Sequence, residues 1–211
     1  QARGHGMSSK QQAQLQALFQ SRYLAGANSA DTLWQRWQEL DVQGPPGEAM
    51  AEAFAKRASA LGMQHSAASA LLDSAETRYD SGLAKALSLV AQNDAALFER
   101  LRALLAAHPD DADLLHSLGS WSRAAGNNDN AIGYWQRAIA QGGGAESWNQ
   151  LGQAHAGLSQ FEQAYIAENN ARRVLNGEAP LPMTGITLQQ RIAAEAVSEQ
   201  RNEHGIPWLP Q

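Results

Sequence analysis

Apolar residues along this chain recur three or four positions apart, the spacing that collects them on one face of an α-helix. Leu15, Leu18, Phe19 and Tyr23 form one such stripe and predict a first helix over 10–24. Asp31 is placed to cap a second helix carrying Leu33, Trp34, Trp37 and Leu40. The GlnGlyProProGly run at 43–47 breaks the pattern. Beyond it the chain reads as helices in pairs. The spacing predicts 49–61, closed by Gly62, then 66–79, a short 82–90, and 95–107 capped by Asp94. HisProAspAsp at 108–111 interrupts again, because proline lacks the N–H that would continue a helix.

The remainder repeats itself. Leu118-Gly119 returns as Leu151-Gly152, Ala131 as Ala164, Ala138 as Ala171, and Leu115 is answered by Trp148, each 33 residues on. A large residue before Leu-Gly, then Ala, then Ala seven later, at a period near 34, resembles the tetratricopeptide repeat. The small residues let two antiparallel helices approach closely, while large ones such as Trp135 are expected to fill the space between neighbouring pairs. The register pairs 112–125 with 129–141, and 145–157 with 161–175. Gly62 to Ala67 repeats the spacing of Gly126 to Ala131, which implies a degenerate unit over 48–77 and another over 78–111. The expected fold is all-α, a tetratricopeptide-like right-handed superhelix of antiparallel helix pairs. Its parts are a tag or flexible lead at 1–9, N-terminal helices at 10–47, repeats at 48–177 (clearest at 112–144 and 145–177), and a linker, capping helix and extended tail at 178–211. The capping helix is expected at 187–201, with Leu188, Ile192 and Val197 inward, and IleProTrpLeuPro at 206–210 as the tail.

Composition points the same way. Among 211 residues, 40 are Ala, 24 Leu and 21 Gln, against 6 Ile and 4 Val, a helix-favouring set poor in β-branched residues. The net charge of −5 carries no basic nucleic-acid footprint. The absence of cysteine removes disulfides, thiolate metal sites and cysteine nucleophiles. No apolar run approaches the roughly 18 residues that span a membrane, and no signal-peptide pattern is visible. The first residue is Gln1 rather than Met, as expected of a piece of a longer chain.

Candidate chemistry is sparse. The six histidines, at 5, 65, 108, 116, 155 and 204, form no HisxxxHis or HisGluxxHis pair, so metal or haem ligation is not expected. Trp34, Trp121, Trp135 and Trp148 read as packing residues, with Trp37 and Trp208 less constrained. GlyGlyGly at 142–144 lacks the Lys-Ser/Thr of a phosphate loop and reads as a turn between repeats. No catalytic constellation is found, and the expectation is a non-enzyme without cofactor. In the repeats this chain resembles, the second, fifth, sixth, ninth and twelfth residues of each first helix line a concave face. Here they are Asp113, His116, Ser117, Ser120 and Arg123, then Glu146, Asn149, Gln150, Gln153 and Ala156. This polar face suits a bound peptide held through backbone contacts.

A longer stretch carries a more specific likeness. It includes LeuTrpGlnArgTrp at 33–37, GlyProProGly followed by an Ala-rich helix over 44–62, the Tyr-Asp turn at 79–80, LeuArgAlaLeuLeuAlaAlaHisProAspAspAlaAspLeuLeuHisSerLeuGly at 101–119, and a following unit one residue short that opens AlaGluSerTrp at 145–148. In order and spacing, residues 30–176 are similar to the C-terminal tetratricopeptide half of the proteobacterial HemY family. That family comprises inner-membrane proteins associated with late haem biosynthesis. The resemblance implies a protein-interaction scaffold, associated with the bacterial inner membrane through an anchor outside this chain and facing the cytoplasm. It also implies a haem-pathway enzyme or other membrane component as partner. A chaperone-like adaptor for secretion or cytochrome assembly and a tetrapyrrole carrier are the alternatives. An exposed solenoid end can also pair with a second copy.

Overall fold

A computed structural model describes residues 8–42 and 46–183, which form ten α-helices, one 3₁₀ turn and no strand. The chain divides into two compact units, 1–143 and 144–211. The first contains α1 (Ser9–Ala25), α2 (Ala30–Asp41), α3 (Glu48–Ala60), α4 (Gln64–Thr77), α5 (Ser81–Leu87) with the 3₁₀ turn Ser88–Val90, α6 (Ala95–Ala107), α7 (Ala112–Ala124) and α8 (Asn128–Ala140). The second contains α9 (Ala145–Gly157) and α10 (Phe161–Leu175). The expected capping helix at 187–201 and the tail at 206–210 lie outside the described residues.

In the first unit the odd-numbered helices form a row: α1 packs on α3, α3 on α5 and α5 on α7, while α4 packs on α6. Small side chains make this possible. Ala51, Ala55 and Ala58 of α3 are fully buried, and a Cβ on Gly82 of α5 would fall 2.5 Å from the Glu48 Cα. The row is stitched by side chains that donate to backbone carbonyls roughly one helix pair away. Arg57 Nε reaches Ala27 O at 2.6 Å, Ser59 Oγ reaches Leu89 O at 2.8 Å, and Trp121 Nε1 reaches Leu87 O at 2.8 Å. The core runs through the row, with Trp37 stacked on Phe54 at a centroid distance of 4.0 Å and Trp121 fully buried.

Local chemistry sets the helix ends. Asp94 and Asp111 accept N–H bonds from Leu97 and Leu114 and start α6 and α7. Ser29, rather than Asp31, caps α2 by accepting from the Thr32 N–H at 3.2 Å, because Asp31 already lies in the first helical turn. At the end of α7, Gly126 (φ 80°) lets the Asn127 N–H turn back onto Ser122 O at 2.8 Å. The same closure ends α9, where Gln160 N–H reaches His155 O at 2.9 Å, but the left-handed residue is Ser159 (φ 60°).

One packing expectation is corrected. The α1 stripe is not a core face: Leu15, Leu18 and Phe19 are 50, 48 and 64% exposed, and only Leu24 of this helix is buried. The helix is held by its C-terminal half, where Ser21 Oγ donates to Ala49 O and Arg36 donates to Tyr23 O. Trp135 packs within its own pair: its ring lies on Gly119 and its Nε1–H donates to His116 O at 3.2 Å. Trp37, 3% exposed, belongs to the core.

In the second unit α9 packs on α10. The ProLeuProMet run at 180–183 is not a free linker. The fully buried Asn170 side chain donates to Leu181 O at 2.8 Å and accepts from the Leu181 N–H at 2.7 Å, and Arg173 Nε donates to Ala179 O.

Candidate functional site

The ten residues expected to line a concave face divide evenly between the two units, five on α7 and five on α9. On α7, Asp113 is half-buried, Ser120 is half-buried and donates to His116 O at 3.2 Å, and Arg123 is exposed. His116 is 6% exposed, and the neighbouring Ser117 is fully buried with its hydroxyl donating to Ala84 O. Packing of α7 on α5 therefore takes Ser117 into the interior, and His116 is buried as well. Asp113, Ser120 and Arg123 keep the surface of this helix. Burial pushes the Asp113 carboxyl above the ordinary aspartate value, Asp111 adds to the rise, and Lys85 opposes it.

On α9, Glu146 and Gln153 are exposed, and Asn149 and Gln150 half-buried. Gln150 Nε2 donates to Glu146 Oε1 at 3.1 Å, which joins two of the four into one polar patch. His155 of the same helix is buried, with Nδ1 2.6 Å from Gln160 Oε1, in keeping with its reading as a core or edge residue.

Sequence reasoning missed a cleft of about 480 Å³ between α1 and α3. Ala25, Ala49, Ala53 and Ala60 give it a floor of small apolar side chains, and Arg22, Glu52 and Lys56 supply charge at its rim. Counted from the start of α3, Ala49, Glu52, Ala53 and Lys56 are the second, fifth, sixth and ninth residues, the same register that singled out α7. The signal was present, but α3 carries Phe54-Ala55 at the helix positions where α7 and α9 carry Leu-Gly. Lys56 Nζ lies 2.6 Å from Glu52 Oε1, and this hydrogen bond holds the glutamate carboxyl below its usual range. Farther along the row Lys85 meets Glu48 at 2.9 Å, and that bond pushes the ammonium upward. The rim is thus a line of exposed, exchangeable ion pairs of small individual worth, well suited to trading partners.

Elsewhere, His65 sits 3.0 Å from Asp94, and His108 stacks on Tyr79 at 3.8 Å. Among the described residues no three His, Cys, Asp or Glu side chains gather as a metal site, and no helix is long and apolar enough to cross a membrane. No family model, curated protein or solved structure matches the chain.

Proposed function

We propose that this chain is a non-catalytic protein-interaction scaffold, a tetratricopeptide-like superhelical array that presents the inner surface of its first-helix row to a peptide segment of a partner. The observation that carries the reading is the α1–α3 cleft. It has a small-residue floor and an ionic rim, and it stands at the register positions that such repeats use for binding. The continuous α1–α3–α5–α7 row supports it, because stacked pairs extend one face across several helices. The polar patches of α7 and α9 supply further hydrogen-bonding groups, each within its own unit. The resemblance of residues 30–176 to the HemY family proposes the partner class, a haem-pathway enzyme or another component of the bacterial inner membrane.

The test is affinity capture from a membrane extract of the source organism with quantitative mass spectrometry. Wild type is compared with Arg22→Ala/Lys56→Ala and with Arg123→Ala/Asn149→Ala/Gln150→Ala. Loss of a specific set of proteins in either variant, with helicity retained, is the expected result. Identical capture by all three proteins overturns the scaffold reading. Enrichment of unfolded secretory or cytochrome clients in place of haem-pathway enzymes replaces the HemY-like partner with an adaptor role.

A further inference from the structure

The second helices of the first two pairs enclose a groove that the reading above does not use. Two connected clefts, of about 520 and 270 Å³, run between α2 and α4 and share Trp34, Ala70 and Asp73. Asp31 lines one end, where both helices begin, and Asp41 lines the other, where both finish. The floor is aromatic, formed by Trp34 and by Trp37, whose ring is anchored on Phe54.

Negative charge gathers at the Asp41 end of the groove. Asp41 is the last residue of α2, and a carboxylate there faces the partial negative charge of its own helix C-terminus. The C-terminus of α4 opens into the same cleft through Thr77 and Arg78. The Asp41 Oδ1 atom is shut away from solvent and accepts no hydrogen bond. Neither Asp31 nor Asp41 forms an ion pair among the described residues, whereas Asp73 shares Arg100 with Glu76. The resident cation Arg78 lines the cleft but makes no bond to Asp41.

We propose that this groove docks a partner-protein segment bearing arginine or lysine. One cationic side chain meets the half-buried Asp41 carboxylate from the cleft side, its aliphatic stem lies along Trp34, and a second meets Asp31. An indole face attracts a guanidinium as well as packing its stem. Ten helical residues separate the two aspartates, about 15 Å at 1.5 Å per residue. An extended peptide spans that distance in four or five residues, at about 3.3 Å each.

The probe is a fluorescein-labelled peptide with two arginines four residues apart around a leucine. Its twin carries glutamates in their place. Anisotropy titration against the full chain is expected to show binding of the arginine peptide only. Asp31→Asn/Asp41→Asn should weaken it about tenfold or more, the scale of losing close charge pairs. In two-dimensional NMR the Trp34 indole signal should move on binding. Arg78→Gln, which removes the competing cation, should tighten binding and guards against a double variant that fails to fold. Glu52→Gln/Lys56→Gln, in the α1–α3 cleft, should leave it unchanged, so the two surfaces fail or succeed separately. Equal binding of the glutamate twin, unchanged affinity in the folded double variant, or no tightening by Arg78→Gln overturns the proposal.

Discussion

Two glycines at equivalent repeat positions are expected to respond to the same substitution with opposite signs. A Cβ on Gly119 would land against Trp135 Nε1 and lie 2.6 Å from Cδ1 and 2.7 Å from Cε2, inside any allowed contact. The indole cannot step aside easily, because Trp135 is fully buried and its N–H is committed to His116 O. Overpacking of this kind costs about 1–3 kcal/mol, and displacing the indole forfeits a hydrogen bond worth about 1 kcal/mol. Against this stands the helix-propensity gain of alanine over glycine, about 1 kcal/mol. Gly119→Ala should therefore destabilise by about 1–3 kcal/mol. At Gly152 the new Cβ would meet Glu168 Cγ at 3.0 Å and Ala164 O at 3.3 Å. The glutamate is exposed and can swing away, so Gly152→Ala should be neutral or stabilising by up to about 1 kcal/mol. Urea denaturation followed by far-UV circular dichroism gives both values. Trp135→Leu should cost less in the Gly119→Ala background than alone, because the two residues are in contact. If Gly119→Ala is no less stable than Gly152→Ala, the helix-pair packing described for α7 and α8 is refuted.

Other substitutions test separate layers of the argument. Trp37→Ala should lose about 3–5 kcal/mol by opening a cavity against Phe54, while Phe19→Ala on the exposed α1 stripe should stay within about 0.5 kcal/mol. Comparable losses in denaturation would mean that α1 is packed. Asp111→Ala removes the acceptor for the Leu114 N–H and should cost about 1 kcal/mol in the same assay. Ser159→Gly relieves a left-handed residue at the end of α9 and should raise stability by about 0.5 kcal/mol, the strain removed less the added freedom of the unfolded chain. Because burial raises the folded pKa of Asp113, its ionisation opposes folding as pH climbs through that value. Asp113→Asn should raise the denaturation midpoint at pH 7 and leave it unchanged at pH 3. A gain equal at both pH values would refute the burial argument.

Most of the helical architecture was legible in the residues themselves. Alanine and leucine at helical spacing, aspartates before 95 and 112, and the glycines at 62 and 126 are local signals, and each acts through its own hydrogen bonds or dihedral angles. The 33-residue recurrence of Leu-Gly and Ala also located the α7–α8 and α9–α10 pairs, because close helix approach demands small residues at fixed positions. Exposure was not legible in the same way. The stripe of Leu15, Leu18 and Phe19 has the periodicity of a core face and lies in solvent, since periodicity shows that a helix has two faces but not which neighbour covers either. His116 and Ser117 look as polar as Ser120 and Arg123, yet tertiary packing buries the first two, Ser117 against α5. The α1–α3 cleft and the α2–α4 groove are assembled from residues on separate helices whose juxtaposition no single segment encodes. Local sequence determined the helices, most of their ends and the α7–α8 and α9–α10 pairs, because those depend on bonds and contacts within some thirty residues. Only tertiary packing decided which faces were left open, because burial is a property of what lies opposite.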